Sequence, residues 1–263
     1  MSNKQGSRIK LFDLPFDCLS LAQVTQKIEQ IIQIRKPHRL VVVNAAKVVK
    51  ARKDTELRKI IQTADIIGPD GVPLVWISWL LGKPLPGRVN GTDLMEKLFE
   101  LSAGKGFRIF FFGATEAVIK RTVEIVRADY PGIQIAGFRN GYFSEADEPE
   151  IVEQIRQSGA DILLVGFGTP KKEFWIAKYR DRLNVPFIHG VGGSFDVVAG
   201  ITKRAPVWMQ KYGLEWFFRF LQEPRRMWKR YLVTNSVFIW LCLKEIAKCH
   251  FPLRQKCLNP ESA

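Results

Sequence analysis

A carboxylate and a guanidinium lie close together in the stretch from residue 65 to residue 94. Asp65-Ile66-Ile67-Gly68-Pro69-Asp70-Gly71 is a short apolar run ending in a Pro-Asp-Gly turn. Arg88-Val89-Asn90-Gly91-Thr92-Asp93-Leu94 places an arginine in a Pro/Gly-rich loop just before a helix start. At strand ends of an α/β sheet such side chains line the ligand crevice. A carboxylate there can take a proton from a hydroxyl, and an arginine can hold a negative group. The same residues also fit a structural role, with Asp70 capping a helix and Pro-Gly making the turn.

Two glycine-rich strand ends extend the candidate site. Gly166-Phe167-Gly168-Thr169-Pro170-Lys171-Lys172-Glu173 follows an apolar run and opens a helix. Glycines admit a ligand to the backbone, and a helix N-terminus offers free N–H groups and a positive dipole. Pro170 suits the first helical turn, and Lys171 and Lys172 add charge. The segment is neither a Walker loop nor a full GxGxxG fingerprint, and a tight turn alone also accounts for it. Gly190-Val191-Gly192-Gly193-Ser194-Phe195-Asp196 either approaches a nucleotide or turns the chain. Phe195 and His189 read as core residues. Asn44, ending a strand, either bonds a sugar hydroxyl or holds a loop. The run from Arg219 through Glu223-Pro224-Arg225-Arg226-Met227-Trp228-Lys229-Arg230 either folds over a diphosphate or forms a solvated face. Guanidinium suits a phosphate better than ammonium does.

The elements that must position these groups alternate in period. Strands are predicted at 39–44, 66–67, 107–112, 133–138, 162–167 and 186–191, from continuous apolar, β-branched runs. Helices are predicted at 45–64 (one or two), 72–81, 92–103 with Thr92 as N-cap, 115–130, 145–158 and 170–183. A strand or hairpin at 9–16 feeds a helix at 19–34. Strands separated by helices imply parallel pairing through right-handed crossovers, and apolar strands imply a sheet covered on both faces. The expected fold class is α/β, a Rossmann-like, mostly parallel sheet covered by helices, with a core over residues 1–205.

Composition shifts beyond that point. Residues 201–263 carry twelve Lys and Arg against four Glu, over half of the chain's net charge of +14. Trp208, Trp216, Phe217, Phe218, Phe220, Trp228, Tyr231, Phe238 and Trp240 are interleaved with these bases. Residues 206–263 are therefore expected to be a basic, aromatic helical appendage, split by Pro224 into 207–222 and 225–248. Such a helix suits attachment to an anionic membrane surface, and equally a core-packing role with a solvated basic face. The charge favours polyanionic partners such as nucleotide diphosphates.

Four cysteines (Cys18, Cys242, Cys249, Cys257) show no CxxC pairing, and His38, His189 and His250 fit no zinc spacing. Free thiols and no metal site are expected. The first residues lack an apolar h-region, and the longest apolar candidate, 237–243, falls far short of the roughly 20 residues of a spanning helix. The expected location is cytoplasmic, peripheral to the membrane. A homo-oligomer is compatible with the sequence.

Taken in order, Pro69-Asp70-Gly71, Arg88-Val89-Asn90-Gly91-Thr92-Asp93-Leu94, the Gly166 to Glu173 segment, Gly192-Gly193-Ser194-Phe195-Asp196 and Glu223-Pro224-Arg225-Arg226-Met227-Trp228-Lys229-Arg230 resemble the WecG/TagA/CpsF glycosyltransferase family, from about residue 9 to 232. The resemblance implies a Rossmann-like core with a C-terminal appendage. It also implies inverting, metal-independent transfer from a UDP-sugar to a polyprenyl-diphosphate-linked sugar in cell-surface polysaccharide synthesis, with no cofactor. It puts the family's catalytic base on Asp70, its site arginine on Arg88 and its strand-end asparagine on Asn44. Substrate contacts extend to Asn90, Asp93, Gly168, Lys172, Gly192 and Gly193, and donor diphosphate contacts to Arg219, Arg225 and Arg226. This chain departs from the family at two positions. Val42 stands where a threonine is common, and Lys172 where Pro-Lys-Gln-Glu is usual. Lys172 suits an anionic donor such as a uronic acid, beside an N-acetylmannosamine-like one. Two other classes compete. A dehydrogenase or epimerase needs a glycine fingerprint that Val43-Asn44-Ala45-Ala46 lacks. A nucleic-acid-binding module could use the basic tail, but no known reader motif appears, so no nucleic acid is expected.

Overall fold

The computed structural model describes residues 7–250, with Arg226, Lys229, Arg230 and His250 described by backbone alone. Cys257, Arg254, Lys256 and the first six residues lie outside the described residues.

The chain opens with an antiparallel hairpin, β1 (Arg8–Leu11) and β2 (Leu14–Asp17). Next comes α1 (Leu21–Ile34), started by a capping box between Ser20 and Gln23. Strand β3 (His38–Val43) leads into α2 (Ala45–Lys53) and α3 (Thr55–Gln62), two helices because Asp54 ends the first and caps the second. Then follow β4 (Ile66–Pro69), α4 (Val72–Leu80), α5 (Gly91–Lys105), β5 (Arg108–Gly113), α6 (Glu116–Asp129) and β6 (Gln134–Arg139). The core closes with α7 (Glu148–Gln157), β7 (Ile162–Gly166), α8 (Lys171–Leu183), β8 (Phe187–Gly190) and a short α9 (Ser194–Val198), which periodicity did not predict. Asn90, and not the expected Thr92, caps α5, its oxygen accepting from the Thr92 and Asp93 amides. Thr92 is already helical and shares a 2.9 Å hydroxyl bond with Ser194.

The six larger strands form one parallel sheet in the order β4-β3-β8-β7-β5-β6. Its apolar residues alternate between two layers, as the period of two in a strand requires. Leu40, Val42, Ile109, Phe111 and Leu164 face α1, α5 and α6. Val41 and Val43 face α2, α3 and α4 on the other side. Phe110, Phe112, Leu163 and Val165 meet α7 and α8 on that side.

Beyond residue 205 come α10 (Val207–Lys211), α11 (Glu215–Gln222) and α12 (Pro224–His250). The single helix expected over 207–222 is broken at Gly213, which takes a φ of +70° and packs on Val72 of α4. Pro224 begins α12, where its missing N–H has no helical acceptor to lose. Helix α12 lies along α2 and buries Phe238 and Leu241 in the same layer as Val43 and Val48. The appendage therefore shares a core layer with the earlier part of the chain.

Candidate active site

Four neighbouring parallel strands deliver the predicted residues to one edge of the sheet. Asn44 follows β3, Asp70 follows β4, the Gly166 to Thr169 segment ends β7, and Gly190 to Gly193 end β8. These are the carboxyl ends, where open α/β sheets bind ligands. The Asp70 amide donates to the Val43 carbonyl at 2.7 Å, extending the β3–β4 pairing by one residue and fixing the turn.

Asp70 does not cap a helix. Helix α4 starts after Gly71, with no side-chain cap. Its carboxylate instead receives two amides, from Asn90 Nδ2 at 3.2 Å and Asn44 Nδ2 at 3.5 Å. Each asparagine uses its oxygen to cap a helix, α5 or α2, and turns its amino group to Asp70. The two caps therefore hold the carboxylate and bring two helix N-termini beside it. Burial pushes the Asp70 carboxyl above its ordinary value, and the nearby Glu215 adds to this. Lys47, the Asn44 bond and Arg88 oppose the rise in part. A carboxylate raised in this way is a better proton acceptor at neutral pH than a free aspartate.

A buried ionic cluster lies under the same edge. Lys47 Nζ donates to the Val42 carbonyl at 2.7 Å and pairs with Glu173 Oε1 at 2.8 Å. Lys172 Nζ lies 3.5 Å from the same oxygen and donates to Thr169 Oγ1 at 2.9 Å. Burial, then Lys47, lowers the Lys172 ammonium to a pKa of about 8. Burial opposes the Glu173 carboxylate, yet the two lysines hold it below its usual range. His189, also interior as expected, is kept neutral by burial, with a pKa of about 3.

Above this floor opens a cavity of about 610 Å³. Asn44, Asp70, Arg88, Asn90 and Arg219 line it. Gly193 is brought beside it from below, because Arg219 Nη2 would come within 3.1 Å of a Cβ at that position. A larger residue at 193 would therefore displace the guanidinium. Arg219 Nε is buried with no hydrogen-bond partner, leaving donor capacity at the cavity wall. Gly168, Lys172, Gly192 and Asp93 are not part of the lining. Lys172, expected to contact substrate, is 7% exposed and faces a small interior void with Arg39 and Gly190. Arg225 is exposed at the start of α12, outside the lining, and the side chain of Arg226 lies outside the described residues.

Arg88 does double duty. One of its amino groups pairs with Glu215 of α11. The other lies 3.5 Å from Asp93 Oδ2. Arg204 pairs with Asp93 and, at 3.0 Å, with Glu96. This clasp ties the start of α5 to the appendage. Sequence reasoning missed Lys47, Glu173, Arg204 and Glu215. Lys47 left one trace, a lone base among apolar residues in a first helical turn. Glu215 left another, as one of only four acids among twelve bases.

Among the described residues no group of three or more His, Cys, Asp or Glu is arranged to hold a metal ion. No described helix is long and apolar enough to cross a membrane.

The chain matches the model of the WecG/TagA/CpsF glycosyl transferase family over residues 9–250. It is 41% identical over 183 residues, 70% of each chain, to an N-acetylglucosaminyldiphosphoundecaprenol N-acetyl-beta-D-mannosaminyltransferase of Bacillus spizizenii. It is 36% identical over 216 residues to a protein of the same name from Bacillus subtilis, covering 82% of this chain and 80% of that one. With the strand-end site, the cavity and these matches in place, the chain belongs to the WecG/TagA/CpsF family of glycosyltransferases.

Proposed function

We propose that the chain transfers N-acetylmannosamine from its UDP conjugate to the N-acetylglucosamine of a polyprenyl-diphosphate-linked acceptor, with inversion at the anomeric carbon. The observation that carries this reading is Asp70. It is half-buried at the floor of the large cavity, raised in proton affinity, and aimed by two asparagine amides. Asp70 takes the proton from an acceptor hydroxyl as that oxygen bonds to the anomeric carbon. The bond from that carbon to the donor diphosphate breaks, and its electron pair leaves on UDP. Arg219, with Nη2 beside Gly193 and its Nε unpartnered, is placed to balance the charge that appears there. Arginine then supplies what a divalent cation supplies in other transferases. The names of the two Bacillus relatives support the sugar and the acceptor. The held position of Lys172, bonded to Thr169 and Glu173, supports a neutral donor sugar over a uronic acid. The exposed aromatics Trp208, Trp216 and Trp240 among the appendage's bases support work at a membrane surface, where such an acceptor resides.

The test is a donor panel of UDP-N-acetylmannosamine, UDP-N-acetylglucosamine and UDP-glucuronate, offered with a lipid-linked N-acetylglucosaminyl diphosphate in excess chelator. A β-linked product from the first donor alone is expected. Retention of the anomeric configuration, or preference for the uronic acid, would overturn the reading.

A further inference from the structure

The cavity does not end at the polar strand ends. It continues as a trough between α4 and α12, with Trp76, Ile77 and Leu80 on one wall and Phe238, Ile239 and Leu243 on the other. Helix α12 is seated on α2, and Trp76, Trp79 and Leu80 of α4 remain more than half exposed. Tyr231, Asn235, Phe238, Cys242 and Ile246 follow each other at helical spacing along the α12 wall. At 1.5 Å per residue that wall runs about 22 Å.

The two ends differ in chemistry. Arg88, Lys203, Arg204, Glu215 and Arg219 all line the end that holds Asp70. Residues 72–80 and 231–243, which build most of the trough, contain no charged side chain. Yet Trp76, Leu80, Ile239 and Leu243 are each more than half exposed. An apolar channel left open to solvent marks a binding surface. A bilayer alone would suit a flat or convex face. A two-walled channel continuous with a charged head site suits one molecule carrying a charged head on a long apolar tail.

We propose that the α4–α12 trough is the binding subsite for the first isoprene units of the acceptor's polyprenyl tail. The acceptor's diphosphate then lies at the Lys203 end and its sugar hydroxyl at Asp70, while Arg219 serves the donor diphosphate. This rests on the function proposed above. It adds where the tail goes and makes tail length a determinant of acceptor affinity.

The experiment uses N-acetylglucosaminyl diphosphates with tails from a single isoprene unit upward, in detergent-free solution below their aggregation concentrations, with the intact chain. KM for the acceptor should fall about tenfold or more as the tail lengthens, then level off once the trough is filled. In Leu80→Asp and Ile239→Asp the dependence on tail length should disappear. Val207→Asp, an equally exposed apolar site outside the trough, should keep it. Transfer with a KM independent of tail length, or an equal loss in Val207→Asp, would overturn the subsite and leave the proposed reaction standing. No transfer to any of these acceptors would overturn both.

Discussion

Two sets of opposite charges flank Asp70, and burial gives them different work. The Lys47, Glu173 and Lys172 side chains are 6%, 4% and 9% exposed. Their Coulomb effect is little screened, so they set the electrostatic level of the floor beneath the carboxylate. Arg88, Asp93, Arg204, Glu96 and Glu215 are between 18% and 41% exposed. Ion pairs in that range contribute little to stability. What they supply is position, because they join the start of α5 to α11 and so bring Arg219 over the glycine-rich strand end. The same chemical pairing tunes a proton affinity when buried and docks a helix when half-buried.

Breaking the buried set should give the largest effect. Lys47→Met leaves Glu173 with the 3.5 Å contact to Lys172 and the Thr169 hydroxyl, and takes the donor from the Val42 carbonyl. Chemical denaturation should show a loss of about 3–5 kcal/mol. Lys47 lowers the Asp70 pKa, so its removal raises that pKa further. The acid limb of the kcat/KM profile should therefore move to higher pH in this variant.

Breaking the clasp should act on turnover more than on folding. Glu215→Gln should lower kcat/KM about tenfold to a hundredfold. High salt should mimic part of that loss in the unmodified chain. Swapping the pair, with Arg88→Glu and Glu215→Arg together, sharpens the distinction. Protection of α11 from proteolysis should return. If Arg88 also touches substrate, turnover should not.

The smallest effect concerns Lys172. Its folded pKa of about 8 lies below the value of a free lysine, so at pH 7 the folded state holds an ammonium it disfavours. Lys172→Gln should stabilise the protein at pH 7, on the order of 1–2 kcal/mol. That gain should shrink as pH rises from 8 toward 10, where the unfolded chain also begins to lose its proton. Thermal denaturation across that range checks the sign.

Much of this was legible in the sequence. The parallel sheet follows from continuous apolar runs such as Leu163-Leu164-Val165 alternating with capped helices. Asp70, Asn44 and the two glycine-rich segments were legible because turn chemistry marks strand ends. Their convergence follows from the strand order. The sequence offers both Asn90 and Thr92 as caps because both residue types cap helices, and only the backbone at Asn90, extended before α5, decides against Thr92. The break at Gly213 was missed because its cause is distant: only a glycine fits against Val72 there. The clasp and the Lys47–Glu173 pair were illegible because they join residues 127 and 126 positions apart. Of the three arginines assigned to a diphosphate, Arg219 alone has a described side chain in the cavity wall. Spacing along a helix does not say which of its bases face inward.

The central claim is that Asp70 is the base. The most direct measurement is kcat for Asp70→Asn beside its melting temperature at pH 7. The account predicts a fall in kcat of about a hundredfold to ten-thousandfold. The melting temperature should be unchanged or higher, because the amide removes a carboxylate that burial disfavours. A folded Asp70→Asn protein that keeps kcat within about tenfold of the unmodified chain would contradict it.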